Sequence, residues 1–352
     1  MTILADAGTL RQFVTRIFLE AGSEAGEARQ IADHLVEANL AGHDSHGVGL
    51  VPHYLRHLRE GFVHPNRRPE RVGGTDPFAV FDGRMGYGQP AANAVMAATA
   101  DIARRHGVAL VTLRHVQHVG RIGAYGEALM AQGLLGIVFV NAVYVEPCVA
   151  PWRGRDARLM TNPICIAVPG ERPVLLDFAT SAIAMGKTRV AYNKGEAVAP
   201  GRLIDHQGRS TVDPGVIWED PRGALLPFGE HKGWGLAFVA ELLGGLLAGG
   251  PDSSLTPGQP CGLVNGLFVI ALQPGRLVDG GWFDAAVARL TAYVKAAPAD
   301  PDAPVLVPGE PEDAARTARG RDGIPVDDTT WAQLVAGAAS LGLTAPDFPQ
   351  VA

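Results

Sequence analysis

The chain has 352 residues, of which 47% are hydrophobic and 19% are charged, and its formal net charge is −6. This composition excludes an intrinsically disordered protein, because disordered chains have few apolar residues and many charges. The charges form no basic stripe, so nucleic acid is not an expected partner. The length exceeds what one hydrophobic core usually supports, and we therefore expect two or more domains.

The lack of a recognisable targeting signal and the pattern of cysteines both favour a cytoplasmic protein. The start, MTILADAGTLRQF, lacks the cationic and apolar regions of a signal peptide, and the most apolar stretches are too short or too rich in glycine to span a membrane. The three cysteines, Cys148, Cys165 and Cys261, are odd in number and far apart. We therefore expect reduced thiols in a cytoplasmic protein that does not bind membranes.

Helical periodicity dominates the N-terminal part of the chain. Apolar residues recur at helical spacing over 10–19, over 28–40 and again from Val51 to Leu58. Pro52 fits the first turn of the third helix, where a missing amide hydrogen is tolerated. The motif GHDSHG, residues 42–47, is therefore predicted to connect the second helix to the third.

Short β-rich runs bounded by glycine and proline follow, from PFAVFDG at 77–83 to PVLLDFA at 173–179. Further helices are predicted at 90–106, 121–132, 232–248, 282–296 and 329–341, a loop at 251–260 and a connector rich in proline and acidic residues at 298–316. We expect a mixed α/β fold. Residues 76–275 would form an α/β domain, and the two ends, 1–75 and 276–352, a helical domain.

A glycine turn imitates a dinucleotide-binding fingerprint. Gly86, Gly88 and Ala91 follow a predicted strand and precede a helix, an arrangement that can hold a pyrophosphate at the helix N-terminus. Pro90 interrupts the motif, however, and no acidic residue follows the second strand near Arg114. The simpler interpretation is a turn that lets the chain pivot into the helix.

Two histidine pairs invite a metal interpretation. His43 and His46 are three residues apart, as are His115 and His118, and Asp44 lies between the first two. Such pairs can contribute to a zinc site or a two-metal hydrolytic site. No motif supplies the remaining ligands, so we expect no metal.

Acid–base chemistry by His46 is the third interpretation, since imidazole exchanges protons near neutral pH. Ser45 and Gly47 would keep the backbone thin enough for a small substrate to approach. Asp44 or Asp177 could fix the tautomer of the ring. On local chemistry alone, a solvated connector in which the histidines only cap helices or form hydrogen bonds is the favoured interpretation.

Other segments combine small, hydroxyl and charged residues. TNPICIAVPG at 161–170 and LLDFATSAIAMGK at 175–187 allow a polar ligand to approach the backbone closely. PFGEHKGWGLA at 227–237 presents Glu230, His231 and Lys232 ahead of a predicted helix, where Lys232 would complement a phosphate. VLVPGEPE at 305–312 adds a polar turn. None of these segments is specific by itself.

Taken in order, DSHG, RHVQHVGRIGAYGE, TNP, LLDFATS, EHKG and VLVPGE resemble the type 2 malate/L-lactate dehydrogenase family over nearly the whole chain. NLAGHDSHGVGLVPHY, ATSAIAMGKTRVA and LLPFGEHKG are most similar to its bacterial hydroxycarboxylate dehydrogenase B branch. The family also includes ureidoglycolate, sulfolactate and diketogulonate oxidoreductases and an imine-reducing branch.

The resemblance implies a nicotinamide-binding domain that is not a Rossmann fold, with a mixed, largely antiparallel sheet flanked by helices, beside a helical domain formed by both termini. It implies NAD or NADP as cofactor, a 2-oxo or 2-hydroxy acid as substrate, and a homodimer, which twofold symmetry makes common. The glycine turn at 86–91 would then not bind the cofactor.

The resemblance also implies roles for individual residues. His46 would donate and accept the substrate proton, Asp177 would orient the imidazole or the nicotinamide amide, and His118 would be a further catalytic residue. Ser45, Arg121 and His118 would bind the substrate. The cofactor would contact His46 and four segments: Gly120, Arg121 and Ile122; Val174, Leu175, Leu176, Asp177, Phe178, Ala179, Thr180 and Ser181; Glu230, His231 and Lys232; and Val307, Pro308, Gly309 and Glu310.

One position departs from the family. Much of the family has an arginine four residues after the catalytic histidine, suited to gripping a carboxylate, and this chain has Leu50. Arg121 or His118 would then bind the carboxylate, and Leu50 would admit a larger apolar substrate. Reduction of cyclic 2-imino acids, metal-dependent hydrolysis through the histidine pairs and ligand binding without catalysis remain alternative functions.

Overall fold

The computed structural model describes residues 2–255 and 262–351. Its helices are α1 (Ala7–Glu20), α2 (Ala25–Leu40), α3 (Val51–Arg59), α4 (Gly88–His106), α5 (Gly123–Met130), α6 (Met185–Lys194), α7 (His231–Ala240), α8 (Gly280–Lys295), α9 (Glu310–Asp322) and α10 (Asp328–Ala339). Its strands are β1 (Thr2–Ala5), β2 (Glu70–Gly73), β3 (Phe78–Asp82), β4 (Val108–Gln117), β5 (Leu135–Val143), β6 (Ile164–Val168), β7 (Val174–Phe178), β8 (Leu203–Ile204), β9 (Ser210–Thr211), β10 (Ala224–Leu225), β11 (Val264–Leu272), β12 (Ile324–Asp327) and β13 (Gln350–Val351).

The largest sheet has the strand order β2-β3-β4-β11-β5-β6-β7. Strands β3 and β4 are parallel, whereas the other neighbours pair antiparallel. Helices α4 and α5 bury apolar side chains, among them Val95 and Leu129, against one core that includes Val111, Val138 and Val269 of the central strands. The prediction of a mixed sheet flanked by helices is confirmed.

The two ends of the chain share a second core. Strand β1 pairs antiparallel with β12 and with β13, which lie more than three hundred residues away in sequence. Fully buried side chains of α1 and α2, including Phe18 and Leu35, pack with Ile324 of β12 and Leu334 of α10. The domain boundaries proposed from the sequence stay a prediction.

Three helical segments differ from the sequence predictions. The connector predicted for 298–316 is wrong in its last part, because α9 begins at Glu310. Pro311 is tolerated in the first turn, and acidic residues there favour a helix N-terminus. The long helix predicted at 232–248 ends at Ala240 and continues as a π-helical segment over 241–246, where buried Glu241 accepts hydrogen bonds from Asn162 Nδ2 (2.8 Å) and Ser253 N (2.8 Å). Helix α6 was missed altogether.

The structure can be compared with the predictions about cysteines and membrane spans. Cys148 and Cys165 are buried free thiols, whereas Cys261 and the end of the loop predicted at 251–260 lie outside the described residues. Among the residues that the structure describes, no helix has both the length and the apolar character to cross a membrane.

Candidate active site

The GHDSHG motif forms a tight connector between α2 and α3, as predicted. Two short 3-10 turns, Asp44–His46 and Val48–Leu50, carry the chain from one helix to the next. Gly47 lies against Asn39, and a Cβ on Gly47 would be 2.2 Å from Asn39 Oδ1. Asn39 Oδ1 accepts the backbone N–H of Val48 at 2.8 Å, which fixes the second turn. Glycine at 47 is therefore a packing requirement.

Asp44 anchors this connector and makes no hydrogen bond to His46. Its Oδ1 accepts from Asn39 Nδ2 and from Arg319 Nη1, both at 2.6 Å, and its Oδ2 accepts from Arg319 Nη2 at 2.9 Å. One residue earlier, His43 Nε2 lies 3.1 Å from Glu312 Oε1. Helix α9 thus holds the connector from the C-terminal part of the chain.

This anchoring predicts a selective mutational effect. Replacing Arg319 with methionine removes a bidentate, charge-assisted contact and should loosen the backbone that carries His46. We expect turnover to fall about ten- to hundredfold, because small displacements of a reacting group are costly. Steady-state kinetics with Arg321→Met as control will check this, since exposed Arg321 pairs with its neighbour Asp322. Equal losses in both variants would contradict the anchoring role.

His46 and His118 lie face to face. Their ring centroids are 5.6 Å apart and the ring planes differ by 19°. His46 Nδ1 is 3.0 Å from Ser45 Oγ, and His118 Nδ1 is 2.7 Å from the hydroxyl of Tyr54. Within the described part of the chain neither Nε2 atom has a hydrogen-bond partner, so both are available to a substrate.

Burial keeps these rings neutral at physiological pH. Desolvation, reinforced by the charges of His43 and Arg121, lowers the pKa of His46 from 6.5 to about 4. Desolvation and the neighbouring histidines lower the pKa of His118 well below 6.5. Burial also lowers the pKa of His34 to about 3, and we call His34, His46 and His118 the histidine cluster. A buried neutral imidazole can act as a general base, and the free enzyme therefore has His46 in the basic form.

Arg121 is almost completely buried, and its side chain is 2% exposed. Its Nη atoms donate to Glu127 at 2.9 and 3.2 Å, and its Nε lies 3.4 Å from Asp177 Oδ2. Glu127 also accepts a hydrogen bond from Arg316 Nη2 at 2.5 Å. The Arg121 guanidinium is thus shared between the carboxylates of Glu127 and Asp177. The role of Arg121 in binding a substrate carboxylate stays a prediction.

Asp177 belongs to the same ion-pair cluster. Besides contacting Arg121, its Oδ2 accepts the backbone N–H of Gly123 at 2.9 Å. Burial raises the pKa of Asp177, against the opposing effect of the Arg121 charge. No hydrogen bond joins Asp177 to His46 among the described residues, so Asp177 does not fix the ring tautomer by direct contact; its role toward a nicotinamide amide stays a prediction.

Segments predicted to bind the cofactor meet along β7. Leu175 N donates to Pro308 O at 3.1 Å, which places residues 307–310 beside the beginning of the strand. The contact between Asp177 and Gly123 brings residues 120–122 to the end of the strand. Gly309 has a φ of 103°, so the turn at 307–310 needs a glycine.

The turn at 230–232 joins this group through the residues that follow β7. Phe228 N donates to Thr180 O at 3.0 Å, and Ser181 forms a β-bridge with Pro227. Glu230, with a φ of 58°, precedes α7, and Glu230, His231 and Lys232 are exposed. The structure therefore brings together the four segments that lie far apart in sequence.

Gly120 links these segments to the histidine cluster. Its φ is 76°, and a Cβ there would lie 2.3 Å from Nε2 of His34. Over the residues that the structure describes, His34 Nε2 is itself buried without a hydrogen-bond partner. Glycine is required at 120 both by backbone conformation and by the close approach of His34.

The glycine turn at 86–91 is packed against its own chain. A Cβ on Gly86 would lie 2.6 Å from Arg67 O, and one on Gly88 would lie 2.2 Å from the carbonyl oxygens of Gln117 and His118. Carbonyl oxygens repel phosphate, so the surroundings of this turn do not suit a pyrophosphate.

The histidines of the two pairs contact different side chains. His115 Nδ1 lies 2.9 Å from Asp82 Oδ2, whereas His118 contacts Tyr54, and His43 contacts Glu312. Over residues 2–255 and 262–351, no three histidine, cysteine or acidic side chains cluster as metal ligands.

Sequence reasoning missed several residues of the site. Tyr54 contacts both Gln89 and His118, and Arg319 contacts Asp44. Tyr54 reads as an ordinary core position of α3, and Gln89 belongs to the glycine turn. No local pattern marks any of them, because each acquires its partner through tertiary packing.

Comparison with known proteins agrees with this fold. The family model for malate/L-lactate dehydrogenase matches residues 5–335. Hydroxycarboxylate dehydrogenase B of Escherichia coli strain K12 is 43% identical over 342 residues, 96% of this chain and 94% of that protein. L-lactate dehydrogenase of Cupriavidus necator is 39% identical, with 96% and 97% covered. The structure of sulfolactate dehydrogenase from Methanocaldococcus jannaschii superposes with a TM-score of 0.87 at 31% identity and covers 99% of each chain.

These matches span nearly the whole chain and define an enzyme, an oxidoreductase. The chain belongs to the malate/L-lactate dehydrogenase family. The resemblance drawn from six ordered motifs is thereby confirmed.

Proposed function

We propose that the protein interconverts 2-oxo acids and 2-hydroxy acids with NAD or NADP, and that His46 is the proton donor and acceptor. The observation that carries this proposal is the pair of stacked rings of His46 and His118, each with its Nδ1 engaged and with no partner for its Nε2 among the described residues. Relatives named hydroxycarboxylate, L-lactate and L-sulfolactate dehydrogenase support this substrate class.

The backbone around β7 fits a dinucleotide. Its residues are mostly half-buried, so a ligand can reach them. Lys232 is an exposed cation suited to a phosphate. The four segments at 120–122, 174–181, 230–232 and 307–310 would hold the cofactor. When bound, the reduced nicotinamide would supply the hydride that reduces C2 of the oxo acid.

His46 would handle the proton. In oxidation, its neutral Nε2 accepts the hydroxyl proton of the substrate while Nδ1–H donates to Ser45 Oγ. In reduction, the imidazolium gives the Nε2 proton to the substrate oxygen as negative charge develops there, and returns to the neutral form. The Ser45 hydroxyl accepts from Nδ1 in both states, so the ring keeps its orientation during the transfer.

The surroundings of the rings favour an anionic substrate. Burial lowers the pKa of His118 most, and the charged groups that add to this effect are His46, His53, His34 and His57, all of them basic. A carboxylate bound among them would stabilise their protonated forms and raise the pKa of His46 toward neutrality. The substrate would in this way help to prepare the proton donor for its own reduction.

Leu50, half-buried four residues after His46, should set substrate preference. We expect the wild type to prefer phenylpyruvate over pyruvate, because an apolar side chain admits an aryl group. Leu50→Arg should shift the ratio of kcat/KM values about tenfold toward pyruvate, and Leu50→Met should keep the wild-type preference. Equal use of both acids by the wild type, with no change in Leu50→Arg, would contradict this role.

A fluorescence titration with NADH and NADPH, followed by turnover of a panel of 2-oxo acids and a cyclic 2-imino acid, tests the function. Cofactor binding with 2-oxo acid turnover supports the proposal. Turnover of the imino acid to the exclusion of the oxo acids would indicate the imine-reductase alternative. Loss of activity with a chelator would indicate a metal-dependent reaction.

The proposal also covers domain organisation, oligomeric state and location. We infer that the sheet with the four segments around β7 is a nicotinamide-binding domain of non-Rossmann type, since it contains one parallel strand pair among the described residues, and that both termini form the helical domain. A cytoplasmic homodimer is the expected state. Light scattering and cell fractionation will check these points.

A further inference from the structure

A buried chain of hydrogen bonds ends at His118. Gln89 is completely buried, and its Nε2 donates to the hydroxyl oxygen of Tyr54 at 2.7 Å. The Tyr54 hydroxyl in turn lies 2.7 Å from His118 Nδ1. Tyr54 is 4% exposed, so solvent does not compete for these contacts.

The direction of these bonds follows from counting protons. A tyrosine hydroxyl has one hydrogen, and its oxygen already accepts from Gln89. Within the described residues the Tyr54 hydroxyl has no acceptor other than His118 Nδ1, so its hydrogen points to that nitrogen, which is then unprotonated. Burial raises the pKa of Tyr54, so the phenol keeps its hydrogen. A neutral His118 then has its proton on Nε2, the atom facing the site.

We propose that Tyr54 is a positioning residue that locks His118 as an Nε2–H donor, and that this N–H binds the substrate carboxylate in place of the arginine absent at position 50. The proposal rests on the proposed function for its substrate, and on Gln89 and Tyr54 for its geometry. The competing cation, Arg121, is paired with Glu127 and Asp177. His118 Nε2 has no protein partner in the described residues.

A neutral donor suits this position beside the acid–base group. A fixed positive charge next to His46 would oppose formation of the imidazolium that reduction needs. An N–H from a neutral ring binds an oxygen without that penalty. The Tyr54 hydroxyl also prevents the alternative tautomer, in which Nε2 would present a lone pair to the carboxylate and repel it.

The chain offers a matched control. Tyr87 is buried beside Tyr54, with ring centroids 6.3 Å apart, but its hydroxyl has no hydrogen-bond partner in the described part of the chain. Tyr87→Phe and Tyr54→Phe each remove one oxygen from neighbouring buried rings. A difference between the two variants therefore reports the contact with His118 and not the loss of a hydroxyl from the core.

The test is ¹⁵N NMR of histidine-labelled full-length protein without substrate at pH 7, with the His118 signals assigned by their absence in His118→Gln. We expect the Nε2–H tautomer in the wild type and in Tyr87→Phe, and a tautomer mixture in Tyr54→Phe. An Nδ1–H tautomer in the wild type, or an unchanged tautomer in Tyr54→Phe, would overturn the proposal. The wild-type spectrum decides even if Tyr54→Phe fails to fold.

Kinetics separate this proposal from the proposed function. We expect KM for the 2-oxo acid to rise about tenfold in Tyr54→Phe, the usual scale for one hydrogen bond to a charged group, with a smaller change in kcat. Wild-type KM in Tyr54→Phe would overturn the carboxylate role. Turnover that survives in His46→Asn would refute the proposed function while leaving the tautomer measurement valid.

Discussion

Replacing His46 with asparagine is expected to lower kcat for 2-oxo acid reduction by about 10²- to 10⁴-fold, the usual contribution of a positioned general acid or base. Asparagine keeps a polar group beside Ser45 but cannot exchange a proton with the substrate near neutral pH. Cofactor affinity should change little, because the four segments around β7 remain intact. Steady-state kinetics and an NADH fluorescence titration on the same preparation will measure both quantities.

His43→Asn is the matched control for this substitution. His43 lies three residues earlier in the same connector, but its Nε2 contacts Glu312. We expect its kcat to fall by less than about tenfold, since it positions the connector and does not touch the reacting atoms. Near wild-type turnover in His46→Asn would refute the assignment and make His118 the next candidate for the acid–base group.

The pH dependence of the wild type gives a further signature of His46. With a pKa of about 4 in the free enzyme, the ring is already basic at neutral pH. The kcat/KM for oxidation should therefore stay constant as the pH falls from about 8 to about 5.5. The kcat/KM for reduction should rise over the same range, because it requires the protonated ring.

The connector at 42–47 shows what local sequence can predict. Helical periodicity on both sides, with glycines around the histidines, was enough to place a turn between two helices. What periodicity does not reveal is the partner of each polar side chain. Asp44 was a candidate for fixing the His46 tautomer, yet it binds Arg319, 275 residues away. That pairing depends on how the C-terminal helix returns to the N-terminal core.

Helix α9 is a segment whose secondary structure the sequence predicted wrongly. Its sequence, rich in proline and acidic residues, predicted an irregular connector from 298 to 316. A proline in the first helical turn and acidic residues at a helix N-terminus are both compatible with a helix, so composition alone misled. The apolar face of α9 is too weak to stabilise this helix alone, and packing against α2 supplies the remaining stabilisation. The ordered motifs succeeded where composition failed, because they reflect the assembled site.

Acid stability should reveal how many histidines are buried in the neutral form. We expect the free energy of unfolding to fall steeply as the pH drops from about 6.5 toward 4. Burial lowers the pKa of His34 and His53 to about 3 and that of His46 to about 4. In the unfolded chain these rings bind protons near pH 6.5, whereas in the folded protein they do not.

The sign follows from proton linkage. Below pH 6.5 the unfolded state binds more protons than the folded state, so acid favours unfolding. His34 and His46 should each cost on the order of 3 kcal/mol between pH 6.5 and 4, a large part of a typical stability of about 5–15 kcal/mol. Most carboxylates titrate below this window, and Asp177, whose pKa burial raises, offsets part of the slope.

Urea unfolding from pH 7 to pH 5 in wild type, His34→Leu and His206→Leu will isolate one of these residues. His34 Nε2 is buried without a partner among the described residues, so leucine should leave the stability at pH 7 equal or higher. It should reduce the average slope between pH 7 and pH 5 by about 1 kcal/mol per pH unit, because the unfolded ring is only partly protonated at pH 7. His206 is exposed in the turn between β8 and β9, and His206→Leu is the control for replacing a histidine at the surface. An identical slope in wild type and His34→Leu would mean that His34 is protonated in the folded protein. Its ring would then need an anion beside Gly120, and the interior of the site would be charged where the structure indicates that it is neutral.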